Sequence, residues 1–209
     1  MVAPYLSLER GNIMLDSATL KAKFNAIAQI MADNCDYLVE LDRQNGDGDL
    51  GFSMKSGFGD TAAALEASDE TDLGRLFLLA SRTFNESAPS SLGTILSIGM
   101  MGTAKALKGS QTATAEEASA GLKAGLQAIM DRTGSSLGEK TILDSLAPGI
   151  EALASGDLAA AAEAAANGSE ATKQMLAKHG RAAYYGEKSL GILDGGSVVG
   201  RLIFEAIAK

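Results

Sequence analysis

Apolar residues recur every three or four positions along most of this chain, and alternation with a period of two is not sustained anywhere. This spacing places apolar side chains on one face of a helix and predicts an all-α protein. The first stripe starts near Ser17 or Thr19 and runs to Asp42; it consists of Leu20, Phe24, Ile27, Met31, Leu38 and Leu41. It predicts one long helix with Asp42 in its last turn, beside the buried face.

Seven further helices follow from the same spacing. Thr114 and Glu117 form a capping box that predicts where the fifth helix begins. Eight helices with short polar connections are consistent with an antiparallel bundle or with a closed ring, and periodicity does not separate the two. The later helices are predicted at about residues 50–65, 72–86, 94–108, 115–132, 142–153, 158–179 and 197–207.

Composition narrows the class of protein. A chain of 209 residues with 46% hydrophobic residues is expected to form one domain, residues 1–209, with residues 1–16 as an N-terminal extension. A net charge of −8 argues against nucleic acid or an anionic membrane as a partner. Cys35 is the single cysteine, the start of the chain lacks the pattern of a signal peptide, and no run of about 18 apolar residues is found, so a cytoplasmic location is expected.

The stretch from Asp42 to Gly51 contains three aspartates and three glycines directly after the first helix. A solvated acidic turn is the simplest interpretation, because Gly and Asp are common in turns. Carboxylates placed this closely repel one another, however, unless a cation lies between them. Oxygen ligands of this kind suit hard cations such as Mg²⁺ or Ca²⁺, so a metal site shared with phosphate oxygens is a second interpretation.

Known loop motifs fit this stretch and a later one poorly. An EF-hand loop starting at Asp47 requires Gly at its sixth position and Glu at its twelfth, which here are Phe52 and Phe58. The spacing Gly46-x-Gly48-x-x-Gly51 matches a dinucleotide fingerprint, but a helix pattern precedes it instead of a strand. The loop 134–141 ends in Lys-Thr like a phosphate-binding P-loop, yet Glu precedes the lysine and again no strand comes before it.

Three Gly-rich loops nevertheless share small hydroxyl residues and one or two charges. Together they resemble the nucleotide-binding L subunit of bacterial dihydroxyacetone kinases, a domain also found in single-chain kinases of related function. The motifs that carry the resemblance are Leu41-Asp42-x-x-x-Gly46-Asp47-Gly48-Asp49-x-Gly51, then Gly138-Glu139-Lys140-Thr141-Ile142-Leu143-Asp144, then residues 180–191 followed by Asp194, and, more weakly, Gly93-Thr94-Ile95-Leu96.

The resemblance implies an eight-helix antiparallel barrel that binds ADP or ATP in the loops at one end. It implies that Asp42, Asp47 and Asp49 hold two Mg²⁺ ions that bridge the nucleotide phosphates. It also implies nucleotide contacts from Leu50, Ser53, Ser91, Leu92, Gly93, Thr94, Gly134, Lys140, Thr141, Arg181, Asp194 and Gly195. Lys140 could equally be a solvated lysine, and Arg181 a charge that stabilises a helix C-terminus.

Two positions depart from the family pattern at the phosphate end of the site. The family usually has His after the third aspartate and Asn three residues later, and here these residues are Leu50 and Ser53. His179 is the only histidine and follows a predicted helix, where an exposed or dipole-stabilising role is expected. No catalytic side chain is therefore assigned, and any phosphoryl transfer is expected to be direct.

Three functional hypotheses follow from these observations. The first is a kinase subunit that transfers a phosphoryl group from its Mg²⁺-bound nucleotide to a small keto-sugar held on a separate K-type subunit. Its phosphoryl donor would be ATP itself or a phosphotransferase-system protein that recharges a resident ADP. The second is a regulatory module that binds Mg²⁺–ADP without turnover, and the third is a helical protein whose acidic loop only binds Ca²⁺.

Overall fold

A computed structural model describes residues 14–209 and confirms the predicted all-α class. The first 13 residues of the predicted N-terminal extension lie outside the described residues, and Met14–Asp16 form a short strand, β1. A second strand, β2, spans Thr112–Thr114. The α-helices are α1 (Ser17–Asp33), α2 (Cys35–Asp42), α3 (Leu50–Glu66), α4 (Leu73–Ser87), α5 (Ser91–Ala106), α6 (Ala115–Thr133), α7 (Leu143–Leu153), α8 (Leu158–Ala171) and α9 (Gly195–Ile207).

The helices form a closed ring. Helix α1 packs on α3, each later helix packs on the next one along the chain, and α9 packs back on α1. The predicted first helix is interrupted at Asn34, so α1 and α2 together occupy the place of one helix in a ring of eight. Of the two arrangements compatible with the apolar pattern, the ring is therefore the one observed.

Because consecutive helices run in opposite directions, their connections alternate between two ends of the ring. One end, called the loop end below, carries the connections 43–49, 88–90, 134–142 and 172–194. The other end is tied together by the antiparallel pairing of β1 with β2 and by a hydrogen bond of 2.8 Å from the Gly109 amide to the Asp72 carboxylate. All the predicted site motifs therefore meet at the loop end.

Apolar side chains from every helix fill the inside of the ring. Phe58 and Phe84 pack edge to face with their ring centres 4.7 Å apart, and the interior leaves an apolar cavity of about 200 Å³. Helix α5 approaches α6 closely, because a Cβ on Gly102 of α5 would lie 2.9 Å from the Ala124 carbonyl of α6. Among the helices within residues 14–209, none is long and apolar enough to cross a lipid bilayer.

Helix ends agree with the sequence at one predicted cap and differ at two other positions. The capping box of Thr114 and Glu117 is present. Helix α5 begins at Ser91 rather than Thr94, because the Ser90 hydroxyl accepts the Gly93 amide. Helix α8 ends at Ala171, not near His179 as predicted, and is followed by one 3₁₀ turn, Thr172–Gln174. The Thr172 carbonyl accepts the Met175 amide in this turn and also the ammonium of Lys140.

Candidate functional site

The acidic loop between α2 and α3 gathers three carboxylates. Asp42 ends α2, and its carboxylate accepts the Gly48 amide at 2.7 Å, which folds the loop back over the helix end. The turn requires glycine at two points, since Gly48 has a φ of +78° and a Cβ on Gly46 would overlap the Asp42 side chain. As a result, Asp42, Asp47 and Asp49 each present an oxygen within 4.8 Å of the others.

The electrostatics of this loop favour a cation. Burial raises the pKa of Asp49, and the neighbouring carboxylates of Asp47 and Asp42 raise it further. The nearby Arg181 lowers the same pKa, and its guanidinium lies 2.6 Å from the Asp47 carboxylate. Three hard oxygen ligands around one point are the donor set that Mg²⁺ and Ca²⁺ prefer. These residues therefore fit a hard divalent cation.

Arg181 belongs to the long connection between α8 and α9, which crosses the loop end. It begins a segment of 3₁₀ helix, Arg181–Ser189, and its ion pair with Asp47 supports the ligand-side interpretation rather than the helix-dipole one. The preceding His179 lies 2.6 Å from Glu139 of the α6–α7 connection, and Lys178 pairs with the same carboxylate. The bond from His179, the Ser136 amide and Lys178 lower the pKa of Glu139 to about 2.

Lys140 is the buried centre of the α6–α7 connection. Only 2% of this residue is exposed, and its ammonium donates to the carbonyls of Thr172 and Ile192 at 2.6 Å each. Its φ of +61° is unusual for a residue with a side chain. Burial lowers the pKa of Lys140. The interpretation of a solvated lysine is therefore wrong, because this side chain ties the α6–α7 connection to the α8–α9 connection.

Asp144 and Asp194 complete this wall of the site. The Asp144 carboxylate accepts the amides of Gly138 and Thr141 at 2.6 and 2.8 Å and so fixes the loop that contains Lys140. Asp194 caps α9 by accepting the Ser197 amide at 2.6 Å. Burial raises the pKa of Asp194 to about 7, although the Ser197 amide and the positive charge of Lys140 oppose that shift.

Four helices begin at the loop end, because every second helix of the ring starts there. Residues at or next to the starts of α3, α5, α7 and α9 line one cleft: Leu50, Ser91, Ile142 and Gly195. Free backbone amides and the positive ends of helix dipoles favour anions such as phosphate. The cleft therefore combines a cation site with several anion-binding helix ends.

The cleft has a volume of about 630 Å³, which suits a ligand of nucleotide size. Twelve of the predicted residues line it: Asp42, Asp47, Asp49, Leu50, Ser91, Leu92, Thr94, Lys140, Thr141, Arg181, Asp194 and Gly195. Three others do not. Ser53 is half-buried in the first turn of α3, Gly93 is buried against the Ala88 carbonyl, and Gly134 ends α6 with a φ of +70°.

Sequence reasoning missed several lining residues. Asn45 has a buried side-chain oxygen without a hydrogen-bond partner in the described part of the chain, and it lines the cleft between Asp42 and Asp47. Because amide oxygens also bind hard cations, the position of Asn45 inside the acidic loop could have predicted it as a site residue. Ile95 and Leu193 supply apolar wall, and His179 also lines the cleft. Neither apolar residue differs in sequence context from an ordinary core position.

Leu50 brings an apolar side chain to the cleft directly after the acidic loop. It is 7% exposed, and a Cβ on Gly195 would lie 2.7 Å from its Cδ2 atom. The starts of α3 and α9 therefore approach each other closely across this residue. Leu50 has no group that could hydrogen-bond to a phosphate.

Comparison with known proteins extends over most of the chain. The sequence model of a family described as the DAK2 domain matches residues 44–209. The chain is 33% identical over 185 residues to the ADP-binding subunit DhaL of the PEP-dependent dihydroxyacetone kinase 1 of Listeria innocua, covering 88% of this chain and 92% of that protein. It is 28% identical to the corresponding Escherichia coli subunit, covering 86% of this chain and 90% of that subunit.

Longer relatives contain the same region as a part. The L-erythrulose 1-kinase of Mycolicibacterium smegmatis is 29% identical over 199 residues, which are 90% of this chain but 34% of that protein. The fold matches the crystal structure of the dihydroxyacetone kinase of C. freundii, with a TM-score of 0.76 and 24% identity. A second structure of that kinase, in complex with AMP-PNP and Mg²⁺, matches with a TM-score of 0.77 and 23% identity. Both matches cover all of this chain. They cover 37% of the kinase chain in the first structure and 36% in the second.

Proposed function

The chain belongs to the DAK2 domain family, and from this premise we propose that it is the nucleotide-holding subunit of a dihydroxyacetone-type kinase. In this proposal it binds ADP or ATP with Mg²⁺ and transfers a phosphoryl group to a small keto-sugar held on a separate K-type subunit. The observation that carries the proposal is the meeting of three carboxylates with four helix starts in one cleft. Relatives that are ADP-binding kinase subunits support it.

Each group of residues has a role in the proposal. Asp42, Asp47 and Asp49 would hold the metal, and two Mg²⁺ ions would neutralise the charge on the phosphates during transfer. Arg181 would turn from Asp47 toward the phosphates. Lys140 would act indirectly, since its ammonium donates to two backbone carbonyls and holds the cleft wall in shape.

The apolar side of the cleft would accept the base and ribose. Leu92, Ile95 and Leu193 line the cleft beside the starts of α5 and α9. Apolar walls with a few polar groups are typical of small-molecule sites. Arg181 and the four helix starts would hold the phosphates beside the acidic loop.

The proposal includes no covalent phosphoenzyme intermediate, because the three aspartates of the acidic loop would act as metal ligands. His179, the only histidine, is held by Glu139, and Cys35 is buried in the core. Transfer would therefore pass directly between nucleotide and acceptor. We place the protein in the cytoplasm as part of this proposal, and the phosphoryl donor would be ATP or a phosphotransferase-system protein.

A transfer assay tests the proposal. The chain is mixed with purified K-type subunits, Mg²⁺ and either ATP or a phosphoenolpyruvate-driven donor relay, and phosphorylation of dihydroxyacetone and of erythrulose is followed. Transfer that requires both subunits and Mg²⁺ is expected. Absence of transfer with every donor, acceptor and subunit combination would contradict the proposal.

Leu50 favours one alternative, a regulatory module that binds Mg²⁺–ADP without turnover. Its buried apolar side chain lies where the phosphates would bind, at a position that is usually histidine in dihydroxyacetone kinase L subunits. Calorimetry with Mg²⁺–ADP, read together with the transfer assay, separates the two, because the alternative requires tight ADP binding and no phosphoryl transfer with either donor. Restoration of turnover by Leu50→His would support it further.

A further inference from the structure

The α8–α9 connection is tied to the rest of the protein at few points. Its two ends are fixed, because the Lys140 ammonium donates to a backbone carbonyl at each of them. Between these ends lie residues 175–190. Within the described part of the chain, the hydrogen bonds and ion pairs that join them to residues outside the connection reach two residues only, Glu139 and Asp47. The middle of the connection therefore depends on two acidic side chains for its attachment.

Four consecutive residues of this stretch, 179–182, line the cleft, and we call them the strap. Gly180 in the strap has a φ of +65°, and Gly186 beyond it has a φ of +52°, both in the region that favours glycine. A Cβ on either glycine would meet no atom within 4 Å. Arg181 and Tyr184 between them are exposed. The strap is therefore loosely packed, and it can open locally without disturbing the core.

Cation binding changes which of the two acidic residues holds the strap. The guanidinium of Arg181 is paired with Asp47, a carboxylate that the proposed function assigns to the metal. When Mg²⁺ and nucleotide occupy the cleft, Asp47 would coordinate the ion and Arg181 would turn to the phosphates. The contacts of the strap with Glu139 are then the ones that hold it to the α6–α7 connection.

Glu139 holds the strap through a histidine. Its carboxylate lies 2.6 Å from Nε2 of His179 and 3.2 Å from the ammonium of Lys178. The Glu139 side chain is 16% exposed and that of His179 is 37% exposed, so the pair is partly shielded from solvent. The bond from His179, the Ser136 amide and Lys178 lower the pKa of Glu139 to about 2. Glu139 thus stays ionised above pH 5, and the charge of the pair varies with His179 alone.

Other charged groups surround this pair. Histidine ordinarily changes charge between pH 5 and 8, whereas lysine and arginine keep theirs through this range. Burial raises the pKa of Asp194 to about 7, so the titration of Asp194 overlaps with that of a histidine and has to be separated by experiment. The charged groups beside His179 along the chain, on the α6–α7 connection and in the cleft are Lys178, Arg181, Glu139, Lys140, Asp42, Asp47, Asp49 and Asp194.

Building on the proposed function, we infer that His179 and Glu139 form a pH-sensitive latch on the bound nucleotide. With His179 protonated, its ion pair with Glu139 holds the strap against the cleft. As the pH rises, His179 loses its charge, the contact weakens, and the strap opens more often. Opening of such a segment controls how fast a bound ligand leaves. The exchange of one nucleotide for another is therefore slow in acid and faster at alkaline pH.

Nucleotide release tests the latch. The untagged protein is loaded with Mg²⁺ and a fluorescent N-methylanthraniloyl-ADP, and the release rate is measured by stopped flow against excess ADP at pH 5.5 and pH 8.5. His179→Lys has a positive charge at both pH values, and His179→Gln has none at either. Lys178→Gln, which removes the other cation paired with Glu139, is the matched control. Dividing each variant rate by the parent rate cancels the titration of Asp194 and of the nucleotide.

The two His179 variants should differ from the parent at opposite pH values. His179→Gln should release the analogue about three- to fivefold faster than the parent at pH 5.5 and at nearly the same rate at pH 8.5. His179→Lys should match the parent at pH 5.5 and release about three- to fivefold more slowly at pH 8.5. Lys178→Gln should change the rate by the same factor at both pH values. Because His179 is the only histidine, one imidazole NMR resonance follows its protonation, and the parent rate should change over the same pH range.

Rate ratios of both His179 variants that are the same at the two pH values would overturn the latch. So would a change in the parent rate that occurs outside the pH range of the His179 resonance. Since His179 is more than one-third exposed, its substitution is not expected to unfold the protein. A parent protein that binds no Mg²⁺–nucleotide analogue at either pH contradicts the proposed function, and the latch with it.

Discussion

The guanidinium of Arg181 lies 2.6 Å from the carboxylate of Asp47, which joins the α8–α9 connection to the acidic loop. This ion pair places a positive charge beside three carboxylates that repel one another. A divalent cation bound by the same carboxylates must compete with that guanidinium. Arg181 therefore couples the occupancy of the loop to the position of the α8–α9 connection.

Arg181→Gln is expected to affect Mg²⁺ and nucleotide in opposite directions. Both side chains of the pair are well exposed, so the pair contributes less than about 1 kcal/mol, and Mg²⁺ alone should bind about two- to fivefold more tightly without it. Mg²⁺–ADP should bind more weakly, since a phosphate contact is lost. Calorimetric titration measures both, with Lys188→Gln in the same connection as control. Weaker binding of Mg²⁺ alone would contradict this role.

Asp47→Asn combined with Asp49→Asn is expected to abolish Mg²⁺–nucleotide binding while the metal-free fold remains as stable or becomes slightly more so. Removing charge relieves the repulsion that raises the pKa of Asp49, although the exposed ion pair with Arg181 is lost. Urea unfolding without metal measures the stability. Asp60→Asn, an exposed change on α3, is the control. Normal Mg²⁺–ADP binding by the double variant would exclude these residues as ligands.

Asp194→Asn is expected to change how stability depends on pH. The folded protein keeps the Asp194 proton up to about pH 7, whereas the unfolded chain releases it near pH 3.8. Between these values the folded state binds more protons, so its free energy of unfolding falls as pH rises. Asn retains the helix cap but has no charge to bury, so the variant should lose this fall and gain about 1 kcal/mol or more at pH 8.

Urea unfolding of the metal-free protein at pH 5 and pH 8 measures this effect. Asp157→Asn is the matched control, because Asp157 caps α8 in the same way but is placed at the opposite end of the ring. The control should leave the difference between the two pH values unchanged. An Asp194→Asn variant that is less stable than the parent at pH 8 would show that the ionised carboxylate stabilises the fold.

Lys140→Met is expected to lower the free energy of unfolding by about 2–4 kcal/mol. Methionine is similar in length, but two charge-assisted hydrogen bonds are lost; the Ile192 carbonyl loses its donor, and the Thr172 carbonyl keeps only the Met175 amide. Lys105→Met, an exposed change on α5, should cost under about 0.5 kcal/mol. Chemical denaturation measures both. Equal small losses would mean that Lys140 does not hold the two connections together.

The all-α class and most helix positions could be predicted, because apolar spacing and local caps decide them. Asp42 lies in the last turn of a helix as predicted, and Thr114 starts α6. Asn34 shows a limit of periodicity, since its side chain bonds back to the Ile30 carbonyl at 2.8 Å and α1 ends there although the apolar stripe continues. Ring closure depends on the packing of α9 on α1, which no local pattern encodes.

Cleft residues that belong to the three loop motifs could be predicted, whereas those that reach the cleft through tertiary packing were missed. Lys140 occupies a loop in sequence, yet its side chain is buried, because the distant carbonyls of Thr172 and Ile192 accept hydrogen bonds from its ammonium. Helix α8 changes to a 3₁₀ turn at Thr172, several residues before its predicted end. Leu193 and Ile95 reach the cleft only because the helix starts converge, which apolar spacing does not reveal.

A crystal structure with Mn²⁺ and ADP tests the central claim most directly, because Mn²⁺ replaces Mg²⁺ at oxygen sites and is located by its anomalous scattering. The account predicts anomalous density bounded by Asp42, Asp47 and Asp49, at about 2.1 Å from their oxygens, with the phosphates of ADP on the same ions and its base beside Ile95 and Leu193. Mn²⁺ bound away from these three carboxylates, or ADP bound outside the cleft, would contradict it.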